Sequence, residues 1–189
     1  MNHRYLQKFQ IKDVVFLAIM SAVALATCAV MPLVISLQPL IFGISQLVTA
    51  LQIGVFFAIG LYKVRKPGSL LIMVLMMGLI QLMMSPPMFL SSVLNGVLIE
   101  LIVLLLFRGY EKDAAVFVAA MLHTPLSLPF NYLYNRLIKG ADSPLAAVAD
   151  RAPLAAVGMT LAVTAVSALG ALIGIKIARE LKKSGVLKK

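Results

Sequence analysis

Acidic side chains are scarce in this chain. Of 189 residues only seven are Asp or Glu, against seventeen Lys and Arg, and the charged share is 13%. Ordinary globular chains carry about 25% charged residues, so a disordered solvating segment and a coiled coil are both excluded. Cysteine occurs once, at Cys28, which rules out a disulfide scaffold. Histidine occurs twice, and His3 lies in the amino-terminal tail, so a zinc or copper site built from His and Cys is not expected. No Gly-Lys pair exists, hence no P-loop, and neither HExxH nor GxSxG is present. Any ATP-driven work must draw on a partner, and other active transport on an ion gradient.

Apolar residues are what the chain has in excess. They make up 61% of it, with a mean hydropathy of +1.00, where soluble domains run near 45–50%. A soluble domain of this size cannot hide so much apolar surface. The sequence therefore predicts an all-α integral membrane protein, a single membrane domain over 1–189 forming a six-transmembrane-helix bundle. The expected spans are 13–35, 39–62, 69–85, 88–107, 113–138 and 153–181. Each is long enough to cross about 30 Å of hydrocarbon as helix. The breaks carry turn chemistry at Pro39, Lys66-Pro67-Gly68, Pro86-Pro87, Gly109 to Asp113, and Gly140 through Pro153. The first span begins like a signal peptide, but its apolar run exceeds the usual h-region.

The net charge of +10 would suggest nucleic acid in a soluble protein. Here the cations stand in short clusters between apolar runs, which points to topology and not to nucleic acid. With the amino terminus inside, fourteen of the seventeen fall in inner segments; Arg136, Lys139 and Arg151 are the outer three. The positive-inside bias places both termini in the cytoplasm.

Two faces of small residues follow from spacing. Ala18, Ala22 and Ala26 recur every fourth residue on the first helix, and Ser167, Gly170, Ala171, Gly174 and Ala178 line the last. Such stripes let helices approach closely in lipid, either within the bundle or against another protein. Polar residues at membrane depth are the candidate site. Glu100 lies about 12 Å inside the cytoplasmic end of the fourth span. A charge near the bilayer centre costs at least about 2.5–3.5 kcal/mol. Glu100 must be paired or protonated, as a ligand or proton site or as a structural bond. Asn95 precedes it by five residues, Gln81 lies on the third span and Gln46 on the second. The fifth span carries the densest polar stripe, His123, Ser127, Asn131 and Asn135, with Tyr132, Tyr134 and Arg136 at its outer end. Pro125 and Pro129 free backbone carbonyls in the same helix. The stripe reads as a cavity wall, and the 139–153 loop beyond it as a lid or a plain solvated connection.

In order along the chain, these features resemble an S component, the substrate-binding membrane subunit of energy-coupling factor (ECF) transporters. The Ala18, Ala22, Ala26 stripe resembles that family's AxxxA motif. Gly170-Ala-Leu-Ile-Gly174 and the run from Ala178 to Gly185 resemble its usual ending. Arg65-Lys66-Pro67-Gly68 and Asn95-Gly96-Val-Leu-Ile-Glu100 resemble the thiamin or hydroxymethylpyrimidine-type subgroup. The resemblance implies capture of a vitamin or related micronutrient at an extracellular-side site, here assigned to Glu100, Asn95, Gln81, His123, Asn131, Tyr134, Asn135 and Gln46. It implies docking of the first helix's alanine face onto a membrane T component driven by two cytosolic ATPase subunits. It further implies a multi-pass protein of a prokaryotic plasma membrane, without cofactor, metal or catalytic activity of its own. Thiamin-binding members stack aromatic rings on the ligand. This chain has no Trp, and only Phe89, Phe130, Tyr132 and Tyr134 stand near the expected mouth, so a smaller heterocycle or polar vitamin suits it as well. Two other readings stay open. One is an ion-coupled small-solute transporter or intramembrane enzyme using Glu100 and His123 as proton groups; the other is a structural subunit without ligand.

Overall fold

A computed structural model of the chain describes residues 8–28, 34, 36–84, 86–140 and 143–185. The described residues form seven helices and no strand: α1 (Ile11–Thr27), α2 (Ile44–Lys63), α3 (Ser69–Met84), α4 (Pro86–Phe107), α5 (Asp113–Leu137), α6 (Pro144–Arg151) and α7 (Pro153–Lys183). Four of them, α2, α4, α5 and α7, are long and apolar enough to cross a membrane, and α3 is apolar but shorter. The all-helical expectation therefore holds. At 1.5 Å per residue, α3 spans about 24 Å and α1 about 26 Å.

Three boundaries differ from the sequence reading. The first span is expected to reach residue 35, but α1 ends at Thr27 with Cys28 as its C-cap; residues 29–33 and 35 lie outside the described residues. The second span is expected from residue 39, but 36–40 are turns and α2 begins only after Gly43. Gly43 has φ +77°, a left-handed conformation that breaks the helix on its amino-terminal side. The 139–153 connection is expected to be a loop. It contains the two-turn helix α6, started by Pro144 at its first position, where a missing N–H costs nothing.

α2 packs against α1, α3, α5 and α7 and forms the centre of the bundle. Phe57, Leu61 and Ala58 on α2 bury fully with Leu17 of α1, Met73 and Val74 of α3, Ile99 and Val103 of α4, and Val116 of α5. The α2–α7 seam is the closest. A Cβ on Gly170 would stand 2.5 Å from the Leu51 carbonyl oxygen, and one on Gly174 would stand 2.4 Å from that of Val55. The small-residue face of the last helix is thus an internal packing surface, where bare backbone lets two helices touch. Around this core, large apolar side chains face outward, among them Leu90, Leu105, Leu106, Leu154, Leu161 and Leu172. An exposed apolar belt of that extent is a surface made for lipid.

Proline in α5 shows how the interior polar bonds are set. Pro125 has no N–H for the Met121 carbonyl one turn earlier. Ser167 of α7 supplies the missing donor, its Oγ bonding the Met121 oxygen at 2.8 Å. On the other side of the bundle Ser21 Oγ donates to Met73 O at 3.0 Å and joins α1 to α3.

Candidate functional site

The sequence-selected polar residues separate into three groups along the bundle. At the end of the bundle where α1 begins and α7 ends, the Arg65-Lys66-Pro67-Gly68 turn between α2 and α3 is a hub. Gly68 takes φ +89°, which the turn requires and a Cβ would strain. Arg65 lies over the Tyr62 ring at 4.2 Å and bonds both Asp113, at the start of α5, and the Glu111 carbonyl. Lys66 bonds Asp13, in the first turn of α1, at 2.6 Å. Arg179 of α7 closes on Asp113 at 2.6 Å.

Glu100 belongs to this hub. The Gly68 N–H donates to its Oε1 at 2.6 Å, and the Tyr110 hydroxyl donates to its Oε2 at 2.9 Å. The carboxylate is buried, and both oxygens are engaged. Burial first, and then the Glu100 carboxylate beside it, push the Tyr110 phenol well above its usual range. The Arg65-Lys66-Pro67-Gly68 and Asn95-Gly96-Val-Leu-Ile-Glu100 segments are therefore bonded to each other: Gly68 closes one and Glu100 closes the other. In the second motif, Gly96 lets α4 approach Val74 of α3, where an added Cβ would stand 2.9 Å from a valine methyl.

At mid-depth the structure brings Asn95, His123 and Thr124 together. Asn95 Nδ2 donates to the His123 carbonyl at 2.6 Å and ties α4 to α5. The His123 ring stacks on Phe57 of α2, with centroids 4.5 Å apart. All three polar residues are over nine-tenths buried. Yet among the described residues Asn95 Oδ1, His123 Nδ1 and Thr124 Oγ1 have no hydrogen-bond partner. A buried polar atom without a partner costs about 1–3 kcal/mol, so each of the three calls for a polar partner from outside the protein.

Above them, toward the opposite end, α5 continues its polar face through Ser127, Asn131 and Asn135. Asn135 Nδ2 donates to the Asn131 carbonyl at 2.8 Å, and Ser143 Oγ donates to Asn135 Oδ1 at 2.9 Å. α6 is fastened to the same helix by one carboxylate. Asp150 accepts from the Tyr132 hydroxyl at 2.7 Å and pairs with Arg136 at 3.0 Å. Tyr134 is half-buried, with Lys139 Nζ 5.7 Å from its ring centre.

Gln46 and Gln81 stand apart from the mid-depth group. Gln46 Oε1 accepts from Ser45 Oγ at 2.9 Å, and Ser45 in turn accepts from Gln38. Gln81 is half-buried on α3. On α1 the buried face is Leu17, Ser21 and Ala24, while Ala18 is half-buried and Ala22 and Ala26 are exposed. The alanine stripe thus flanks the packed face and is open at its middle and far end. Among the described residues no three His, Cys, Asp or Glu side chains gather as metal ligands. Thr124 and Tyr110 escape the sequence reading. Thr124 adjoins His123 without sharing its every-fourth spacing, and Tyr110 lies in the short connection after α4.

Among the described residues Glu100 and His123 are held by different sets of neighbours. No curated protein and no solved structure matches the chain. Over residues 11–183 it matches the model of the family described as hypothetical bacterial integral membrane protein (Trep_Strep), and the chain belongs to that family of bacterial integral membrane proteins.

Proposed function

We propose that the chain is the substrate-binding S component of an ECF-type importer, capturing a vitamin or related micronutrient for ATP-driven uptake. The observation that carries this reading is the mid-depth group. Asn95, His123 and Thr124 hold three unpartnered polar atoms at the foot of a polar face that runs up α5 to Asn135. Small-molecule sites have this form, a mostly apolar enclosure with a few convergent polar groups. In this reading α1 and α3 also span, giving six crossings. The hub end lies in the cytoplasm of a prokaryotic cell, and the α6 end faces outward over the ligand. Asn131, Tyr134, Asn135, Gln81 and Gln46 belong to the upper wall. Glu100 does not: its oxygens are committed to Gly68 and Tyr110.

The exposed Ala22 and Ala26 are the docking face for a membrane T component, and two cytosolic ATPases supply the energy that a chain without a P-loop cannot. The chain performs no chemistry of its own. The thiamin or hydroxymethylpyrimidine-type assignment rests on two motifs that bond each other at the hub end, so the geometry does not favour it over other micronutrients.

The test is the thermal midpoint of the purified chain against a panel of vitamins and their precursors. A ligand at 100 times its dissociation constant adds about 2.7 kcal/mol to the folded state. One compound is expected to raise the midpoint, and its effect is expected to fall in Asn131→Ala and Thr124→Val. No shift with any compound would remove the binding role.

A further inference from the structure

Resting on that ligand-binding reading, we infer that the site takes an uncharged ligand: an amide or nitrogen heterocycle bearing an N–H or O–H donor next to an acceptor, held at Asn95, His123 and Thr124. The Asn95 amide fixes the pattern. Its Nδ2 is spent on the His123 carbonyl at 2.6 Å, so the remaining Oδ1 is an acceptor only. A ligand must bring a donor there. Thr124 Oγ1 both donates and accepts, and His123 Nδ1 does one or the other according to its tautomer. A ligand that brings a donor to Asn95 Oδ1 and carries an acceptor as well can satisfy the amide and either of the other two groups.

Charge is what the surroundings cannot support. Glu100, the nearest acid along α4, is five residues or about 7.5 Å of helix rise from Asn95, and both its oxygens are bonded elsewhere. Arg136 is twelve residues or about 18 Å beyond Thr124 and is paired with Asp150. The His123 ring stacks on Phe57. A cation or anion seated here would be buried without a counter-ion, a large desolvation loss with no return. Amide, hydroxyl and imidazole groups suit a neutral molecule.

The experiment uses the full chain in lipid nanodiscs at pH 7 and measures dissociation constants for matched pairs sharing a ring. The pairs are hydroxymethylpyrimidine and thiamin, nicotinamide and nicotinate, and pyridoxine and pyridoxal phosphate. The expected result is binding of at least one neutral member, with its charged partner weaker by about tenfold or more, because its charge is desolvated without a counter-ion. Thr124→Val and Asn95→Leu should each weaken the neutral ligand by a similar factor, and Thr124→Ser should restore it. Thr124→Val keeps the side-chain shape, so it serves where Asn95→Leu fails to fold. A charged member that binds as tightly as its neutral partner overturns the inference alone, leaving the binding role intact. So does a neutral ligand indifferent to Thr124→Val. Absence of binding across all pairs overturns the ligand-binding reading and this inference with it.

Discussion

Gly68 and Glu100 are thirty-two positions apart in the chain, and the backbone N–H of the first donates to the carboxylate of the second at 2.6 Å. That bond makes the start of α3 and the lower half of α4 one unit. It also gives a buried acid a role that needs no ligand. A carboxylate accepts from two donors at once, here Gly68 N–H and Tyr110 O–H, whereas a carboxamide brings donors of its own to the same place.

Glu100→Gln should therefore destabilise the chain by about 1.5–3 kcal/mol, the range for hydrogen bonds to a charged group, and leave ligand affinity within about threefold once folded. Denaturant titration paired with a binding isotherm checks both. A stable Glu100→Gln chain that no longer binds ligand would place Glu100 in the ligand site instead.

Tyr110 gives the same contact a pH signature. Burial and the adjacent carboxylate raise the phenol's pKa in the folded chain above its unfolded value. The stabilisation is present in full below about pH 10 and is lost as pH rises, because the unfolded phenol releases its proton first. Alkaline unfolding of the native chain should be steeper above pH 10 than that of Tyr110→Phe. Superimposable profiles would show that the phenol ionises freely.

The α2–α7 seam predicts an asymmetry among glycines. Gly170→Ala and Gly174→Ala each drive a methyl into backbone of α2 and should cost about 1–3 kcal/mol, the usual range for overpacking. Gly158, on the same helix, has no atom within 4 Å of an added Cβ. Gly158→Ala should be neutral or stabilising by up to about 1 kcal/mol. Thermal midpoints of the three variants suffice, and equal losses at all three would contradict the seam.

Ser167 and Pro125 should be coupled through the Met121 carbonyl. Ser167→Ala strips the Met121 carbonyl of its donor, at a cost of about 0.5–1.5 kcal/mol. In a Pro125→Ala background the helix supplies its own N–H to that carbonyl, and the serine becomes dispensable. A double-mutant cycle should show the Ser167→Ala cost vanishing there; an unchanged cost would mean the carbonyl has another partner.

How much of this could be read from the chain differs by element. The limits of α3, α5 and α7 follow from Gly68, Asp113 and Pro153, local signals that no tertiary contact overrides. α6 is not legible as a helix because its apolar run, Leu145 to Ala149, is too short to show a helical period and sits between the turn residues Gly140 and Pro153. The start of α2 differs from the expectation because the left-handed Gly43 ends the turn region four residues after Pro39. Asn95, His123 and Glu100 stood out because polar groups at membrane depth are costly. Their partners did not. Whether a buried carboxylate meets a ligand or a turn depends on which helix ends are neighbours, and Gly68 and Tyr110 carry no mark that pairs them with Glu100.

The central claim is that this chain is a binding subunit working with others, and isolation of the tagged chain from its own bacterial membrane with mass spectrometry of what accompanies it tests that most directly. The account predicts a membrane T-type protein and two cytosolic ATPases in the isolate, retained in Gly158→Ala and lost in the Ala22→Leu, Ala26→Leu double variant, whose side chains fill the exposed face of α1 without entering the core. A chain recovered alone, or with partners indifferent to that variant, would contradict it.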